Sequence, residues 1–70
     1  MGMQGTVKFF NPEKAFGFVT PDGGGKDVFL HVSALRAAGL QSVAEGQRIE
    51  FEAVRSNNGK GDQAENVRLA

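Results

Sequence analysis

Seventy residues with eight basic side chains, eight acidic ones and no cysteine make a short, neutral chain. Neutrality argues against a duplex-wrapping protein, which carries a strong positive excess, and the lack of cysteine excludes disulfides and thiolate metal sites. No apolar run approaches the roughly 20 residues of a membrane span. One domain over residues 1–70 is expected, with its core between about 4 and 69. A chain of this size buries only roughly 60% of its unfolded surface, which leaves little surplus stability. The start, Met1-Gly2-Met3-Gln4-Gly5, lacks the basic and apolar segments of a secretory signal, so the cytoplasm is the default location. Residues 1–44 carry four bases against three acids, and residues 45–70 carry four bases against five acids, a tilt too weak to carry a function.

Ten glycines and two prolines suit short strands and tight turns. Residues 4–11 read as a first strand with Val7, Phe9 and Phe10 as apolar members. The adjacent Phe9 and Phe10 cannot both face inward without a bulge, and Phe9 is assigned outward. Asn11-Pro12-Glu13-Lys14 reads as a turn, with the preset φ of proline at its second position. Residues 15–20 read as a second strand, with Phe16 and Phe18 on one face and Ala15, Gly17 and Val19 on the other. Gly17 leaves the backbone open to close approach. Pro21-Asp22-Gly23-Gly24-Gly25 is a loop; without a following Gly-Lys-Ser/Thr and helix it is no phosphate-binding loop.

Residues 27–32 read as a third strand, with Val28, Leu30 and Val32 on one face and Phe29 and His31 on the other. Ser33-Ala34-Leu35-Arg36 predicts a single helical turn capped by Ser33, inside a long connection over 34–46. In a fourth strand, about 47–54, Ile49, Phe51 and Ala53 alternate with Arg48, Glu50 and Glu52. Residues 56–61 are rich in turn formers, and Asn58-Gly59 is a hairpin signal. In a fifth strand, 63–69, Val67 and Leu69 share a face and Ala64 falls out of phase, which a bulge near Asn66 reconciles. Five short strands predict an all-β fold, a small closed or nearly closed antiparallel barrel, because closure removes vulnerable sheet edges. An open five-stranded sheet is the alternative and leaves one face uncovered.

Val19, Val28, Leu30, Ile49, Phe51, Val67 and Leu69 are enough to fill so small a barrel. Phe16, Phe18, Phe29 and His31 then face water, and an exposed aromatic patch on a sheet calls for a ligand. Stacking on unpaired bases fits, at roughly 1–3 kcal/mol per base. Lys8 and Lys14 flank this face and suit phosphates; two or three such contacts imply a log–log salt slope of roughly −1.4 to −2.1. Asp27 either hydrogen-bonds a base edge or ties down a turn. The single histidine has no second histidine or cysteine to share a metal. No nucleophile–base–acid set is present, so neither an enzyme, a cofactor nor a small-molecule substrate is expected.

Lys14-Ala15-Phe16-Gly17-Phe18-Val19 resembles the first ribonucleoprotein motif of cold-shock domains, and Val28-Phe29-Leu30-His31-Val32 resembles the second. Gly5-Thr6-Val7-Lys8-Phe9-Phe10-Asn11 is similar to that family's opening strand. Glu45-Gly46-Gln47 and Gln63-Ala64-Glu65-Asn66-Val67 resemble its later segments, so the likeness runs along nearly the whole chain. The resemblance implies a five-stranded oligonucleotide-binding (OB-fold) barrel that binds single-stranded RNA and DNA and acts as an RNA chaperone in stress responses, affecting transcription and translation. By position it places binding residues on Lys8, Phe9, Asn11, Lys14, Phe16, Phe18, Asp27, Phe29 and His31, with Lys60 as the candidate in the 56–62 loop. The chain departs from the family pattern at Phe9, usually tryptophan, at Ala15, usually glycine, and at Val32 and Leu40, usually aromatic. Those subsites are expected to be weaker or to read bases differently.

The expectation is therefore a monomeric, passive binder of single strands that works without ATP. The rival from another class is a protein-interaction module using the same aromatic patch.

Overall fold

The computed structural model describes residues 2–55 and 61–70. Within them the chain forms β1 (Met3–Asn11), β2 (Phe16–Pro21), β3 (Val28–His31), α1 (Val32–Ala37), β4 (Arg48–Arg55) and β5 (Asp62–Leu69). The strands close into a barrel in the order β1-β2-β3-β5-β4, so the open-sheet alternative is excluded. All pairings are antiparallel except β3 with β5, which meet in parallel at Phe29 and Gln63. A ring with an odd number of strands cannot alternate direction all the way round, so one parallel pair is unavoidable, and the expected all-antiparallel barrel is mixed at that seam. Parallel pairs are slightly weaker per residue, which suits a seam this short.

Two bulges put the apolar residues of β1 and β5 inside. In β1, Val7 pairs with Val19 and Phe9 with Phe18, so Lys8 has no partner across the ladder. Val7 is then buried, Lys8 and Phe9 both face outward, and Phe10 turns back against the core. In β5, two steps on β4 from Glu50 to Glu52 match three from Arg68 to Glu65. Asn66 takes up the extra residue with a left-handed φ of 51°, a conformation asparagine tolerates better than most. Ala64 and Val67 both reach the interior as a result.

The core is Phe51, Leu30, Leu35, Ile49, Val7 and Val19, each almost wholly shielded, joined by Val28, Ala34, Val43, Ala64 and Val67. Leu69, expected inside, is 51% exposed. It shares the inward face of Val67 but ends β5 at the barrel rim, where the described residues leave it half uncovered. The barrel wall is tight where β1 crosses β2: a Cβ on Gly17 would lie 2.1 Å from the Phe9 carbonyl oxygen and 2.7 Å from Phe10 Cα. The close approach at Gly17 is therefore that of a neighbouring strand.

α1 plugs one end of the barrel with Ala34 and Leu35. It begins at Val32, so Val32 opens a helix rather than closing a strand. Its cap is His31, not Ser33: His31 has extended backbone (φ −95°, ψ 151°), and its Nδ1 accepts the Ser33 N–H at 3.1 Å. Histidine replaces serine here because β3 ends one residue before Val32 and hands His31 to the cap position. At the other end of α1, Gly39 is left-handed (φ 77°); its N–H donates to Arg36, and the Leu40 N–H donates to Leu35. That is a Schellman closure, which draws the residue after the glycine onto the last turn, and Leu40 packs on the core.

Candidate nucleic-acid interface

The outer face of β1, β2 and β3 collects five rings. β2 and β3 are in register with Phe16 opposite His31 and Phe18 opposite Phe29. The bulge at Lys8 adds Phe9 from β1, 5.7 Å from Phe18 and 6.4 Å from Phe16 between ring centroids. Phe16 and Phe29 lie near parallel (22°, 5.6 Å), and so do Phe29 and His31 (29°, 6.1 Å). Phe18 stands edge-on to both Phe16 (89°) and Phe29 (74°). Phe9 is 37% exposed; the other four are half-buried because each ring shields its neighbours. The aliphatic partners of the alternation, Val19, Val28 and Leu30, are inside.

Spacing limits what these rings can do. A base inserted between two parallel rings needs about 7 Å, twice a van der Waals contact of roughly 3.5 Å. The near-parallel pairs stand closer than that. The open surface is therefore the outward-facing planes and edges, over a hollow of about 670 Å³ lined by Lys14, Phe16, Phe18, Phe29 and His31.

The polar residues around the rings bond to one another and to the backbone. Lys8 Nζ lies 3.0 Å from Asp27 Oδ2, and the Thr20 hydroxyl donates to Asp27 Oδ1 at 3.2 Å. Lys8, expected to meet phosphate, is turned outward by the β1 bulge; it pairs with Asp27 while its side chain stays 59% exposed. Asp27, just before β3, bonds side chains of β1 and β2. Thr20 belongs to this cluster and was not singled out from sequence, although it lies two residues after Phe18 on the same face. Asn11 accepts the Glu13 and Lys14 N–H groups at 3.0 and 3.2 Å, so it shapes the turn that presents Lys14. His31 is fixed by its cap, with Nδ1 accepting the Ser33 N–H. Lys60 lies outside the described residues.

Away from the rings, Arg48 clamps the 22–25 loop to the barrel. Its guanidinium donates to both Asp22 oxygens, at 2.6 Å to Oδ1, and to Thr6 and Gln4. These hydrogen bonds hold the Asp22 carboxyl below its ordinary value and the Arg48 guanidinium above its own. Among the described residues no group of three histidine, aspartate or glutamate side chains is placed to hold a metal ion.

The sequence over residues 3–70 matches the family model described as the 'Cold-shock' DNA-binding domain. The chain belongs to the cold-shock domain family. Cold shock-like protein CspE of Escherichia coli (strain K12) is 52% identical over 65 residues, which cover 93% of this chain and 91% of that protein. Cold shock-like protein CspA of Stigmatella aurantiaca is 56% identical over 64 residues, 91% of each chain. Glycine-rich protein 2 of Nicotiana sylvestris shares 49% identity over 57 residues but only 27% of its own length, so there the cold-shock domain is one part of a longer protein. This chain is thus a cold-shock domain protein of the nucleic-acid-binding, non-enzymatic kind, with an OB-fold barrel. No helix among the described residues is long and apolar enough to cross a membrane.

Proposed function

We propose that this cold-shock domain is a passive RNA chaperone of the cytoplasm, acting as a monomer through one domain. Unpaired bases of single-stranded RNA or DNA stack on Phe9, Phe16, Phe18, Phe29 and His31. Lys14 meets the backbone, while Lys8 and Asp27 offer a donor and an acceptor to a base edge. The observation that carries this reading is five outward rings over a core already filled by aliphatics and Phe51. Three stacked bases at roughly 1–3 kcal/mol each supply most of a micromolar affinity, about 8 kcal/mol. A duplex has its bases already stacked and gains little. Binding to the open form of a hairpin shifts the equilibrium toward it by mass action.

The test is a dye-and-quencher RNA hairpin mixed with the protein without ATP. The parent is expected to open it. Phe16→Ala and Phe29→Ala, folded by circular dichroism, are expected to need at least about tenfold more protein, the loss of one stacked base. Full opening by both variants contradicts stacking as the mechanism. A folded parent that leaves the hairpin shut, and whose rings do not respond to single strands, favours the protein-interaction module.

A further inference from the structure

The starts of β1, β3 and β5 and the ends of β2 and β4 share the end of the barrel opposite α1, and there the wall opens into a groove of about 880 Å³. Its floor is apolar, with Met3, Pro21, Val28 and Ala53. One side is the triglycine loop, where Gly24 and Gly25 are left-handed (φ 84° and 95°) and a Cβ on either would meet nothing within 4 Å. Two exposed cations, Lys26 and Arg55, line it from different strand ends, and neither makes an ion pair with a described residue. Two acids also line it. The lining is formally balanced; with Asp27 paired to Lys8 it keeps an excess of one base, and Asp62 stands opposite Arg55 in the β4–β5 register. The volume falls in the roughly 300–1,000 Å³ range of sites that take a small molecule, more than a lone phosphate fills.

Asp27 stands between the groove and the aromatic face. It lines the groove and also bonds Lys8 and Thr20 on the outer sheet, and Val28 in the groove floor directly precedes Phe29. We propose that this groove is an extension subsite for the same single strand: one or two nucleotides running off the rings past Asp27 lie against the apolar floor, with their phosphates between Lys26 and Arg55. The inference rests on the stacking reading but not on the same residues. It makes the length of strand bound greater than the rings alone require, and it gives Lys26, Arg55 and the triglycine loop a role that the ring face leaves unused.

The experiment compares a fluorescein-labelled hexathymidine with a decathymidine by anisotropy, on the parent and on Lys26→Gln/Arg55→Gln. Extra registers on the longer strand favour it equally in both proteins, so the change caused by the variant is what is read. The variant is expected to lose at least roughly threefold in affinity for the longer strand and almost nothing for the shorter, with a salt slope shallower by about 1.4 for the longer strand only, two contacts at roughly 0.7 each. The Met3 and Ala53 methyl resonances are expected to move with the decathymidine and stay still with the hexathymidine. An equal loss on both lengths means a diffuse charge effect and overturns the subsite, as does no loss on either. Failure of the parent to bind hexathymidine removes the stacking reading instead, and the groove with it.

Discussion

Ala15 sits between Lys14 and Phe16 with a left-handed φ of 63°, and its carbonyl accepts the Val32 N–H at 2.9 Å. The bond pins β2 to the start of α1 beside the rings, and a side chain in that conformation is strained. The left-handed region costs a non-glycine residue roughly 1–2 kcal/mol. Glycine there gives back about 0.4–1 kcal/mol through the freer unfolded chain. Ala15→Gly is therefore expected to raise stability by about 0.5–1 kcal/mol in urea unfolding, and a lower midpoint contradicts the strain. At this scale the sequence shows ring placement well, because alternation over 16–19 and 28–31 needs no knowledge of partners. It hides the Lys8–Asp27 pair and the His31 cap. The first depends on a bulge that turns Lys8 outward, and the second on where β3 stops; both are set by contacts distant in sequence.

At the scale of elements, the strand bounds follow the alternation closely, and the bulge near Asn66 was legible because Ala64 and Val67 cannot otherwise both face inward. The helix start and the fate of Leu69 were not, since each turns on what happens to pack at a barrel end. The 22–25 loop, a string of small residues with no obvious anchor, is held by Arg48 across β1 and β4 through Asp22. Asp22 has its pKa lowered in the folded state, so its contribution is present above the unfolded value of about 3.9 and is lost as pH falls through the folded one. The urea midpoint is expected to fall below about pH 4, and Asp22→Asn to lower it at neutral pH while flattening that acid limb. A variant that follows the parent at every pH contradicts the clamp. The pair is half-exposed, so the effect is small.

For the whole molecule, zero net charge is compatible with the proposed binding mode, in which the rings supply the affinity and few cations are needed. Sequence alone allowed two or three phosphate contacts. In the proposed mode, with Lys8 paired to Asp27, a short strand is expected to meet one or two, and the log–log salt slope is expected at roughly −0.7 to −1.4. A slope steeper than about −2 in salt titrations of hexathymidine binding contradicts that pairing. The closed barrel itself was legible from five short strands. The parallel seam between β3 and β5 follows from their odd number.

One measurement reaches the centre of this account: the aromatic proton resonances of the phenylalanines, followed while single-stranded oligothymidine and then a matched duplex are added. Phe9, Phe16, Phe18 and Phe29 are expected to shift with the single strand and stay nearly unmoved with the duplex, while the buried Phe51 ring stays silent in both. Equal responses to duplex and single strand, or shifts at Phe51 without shifts at the outer rings, contradict it.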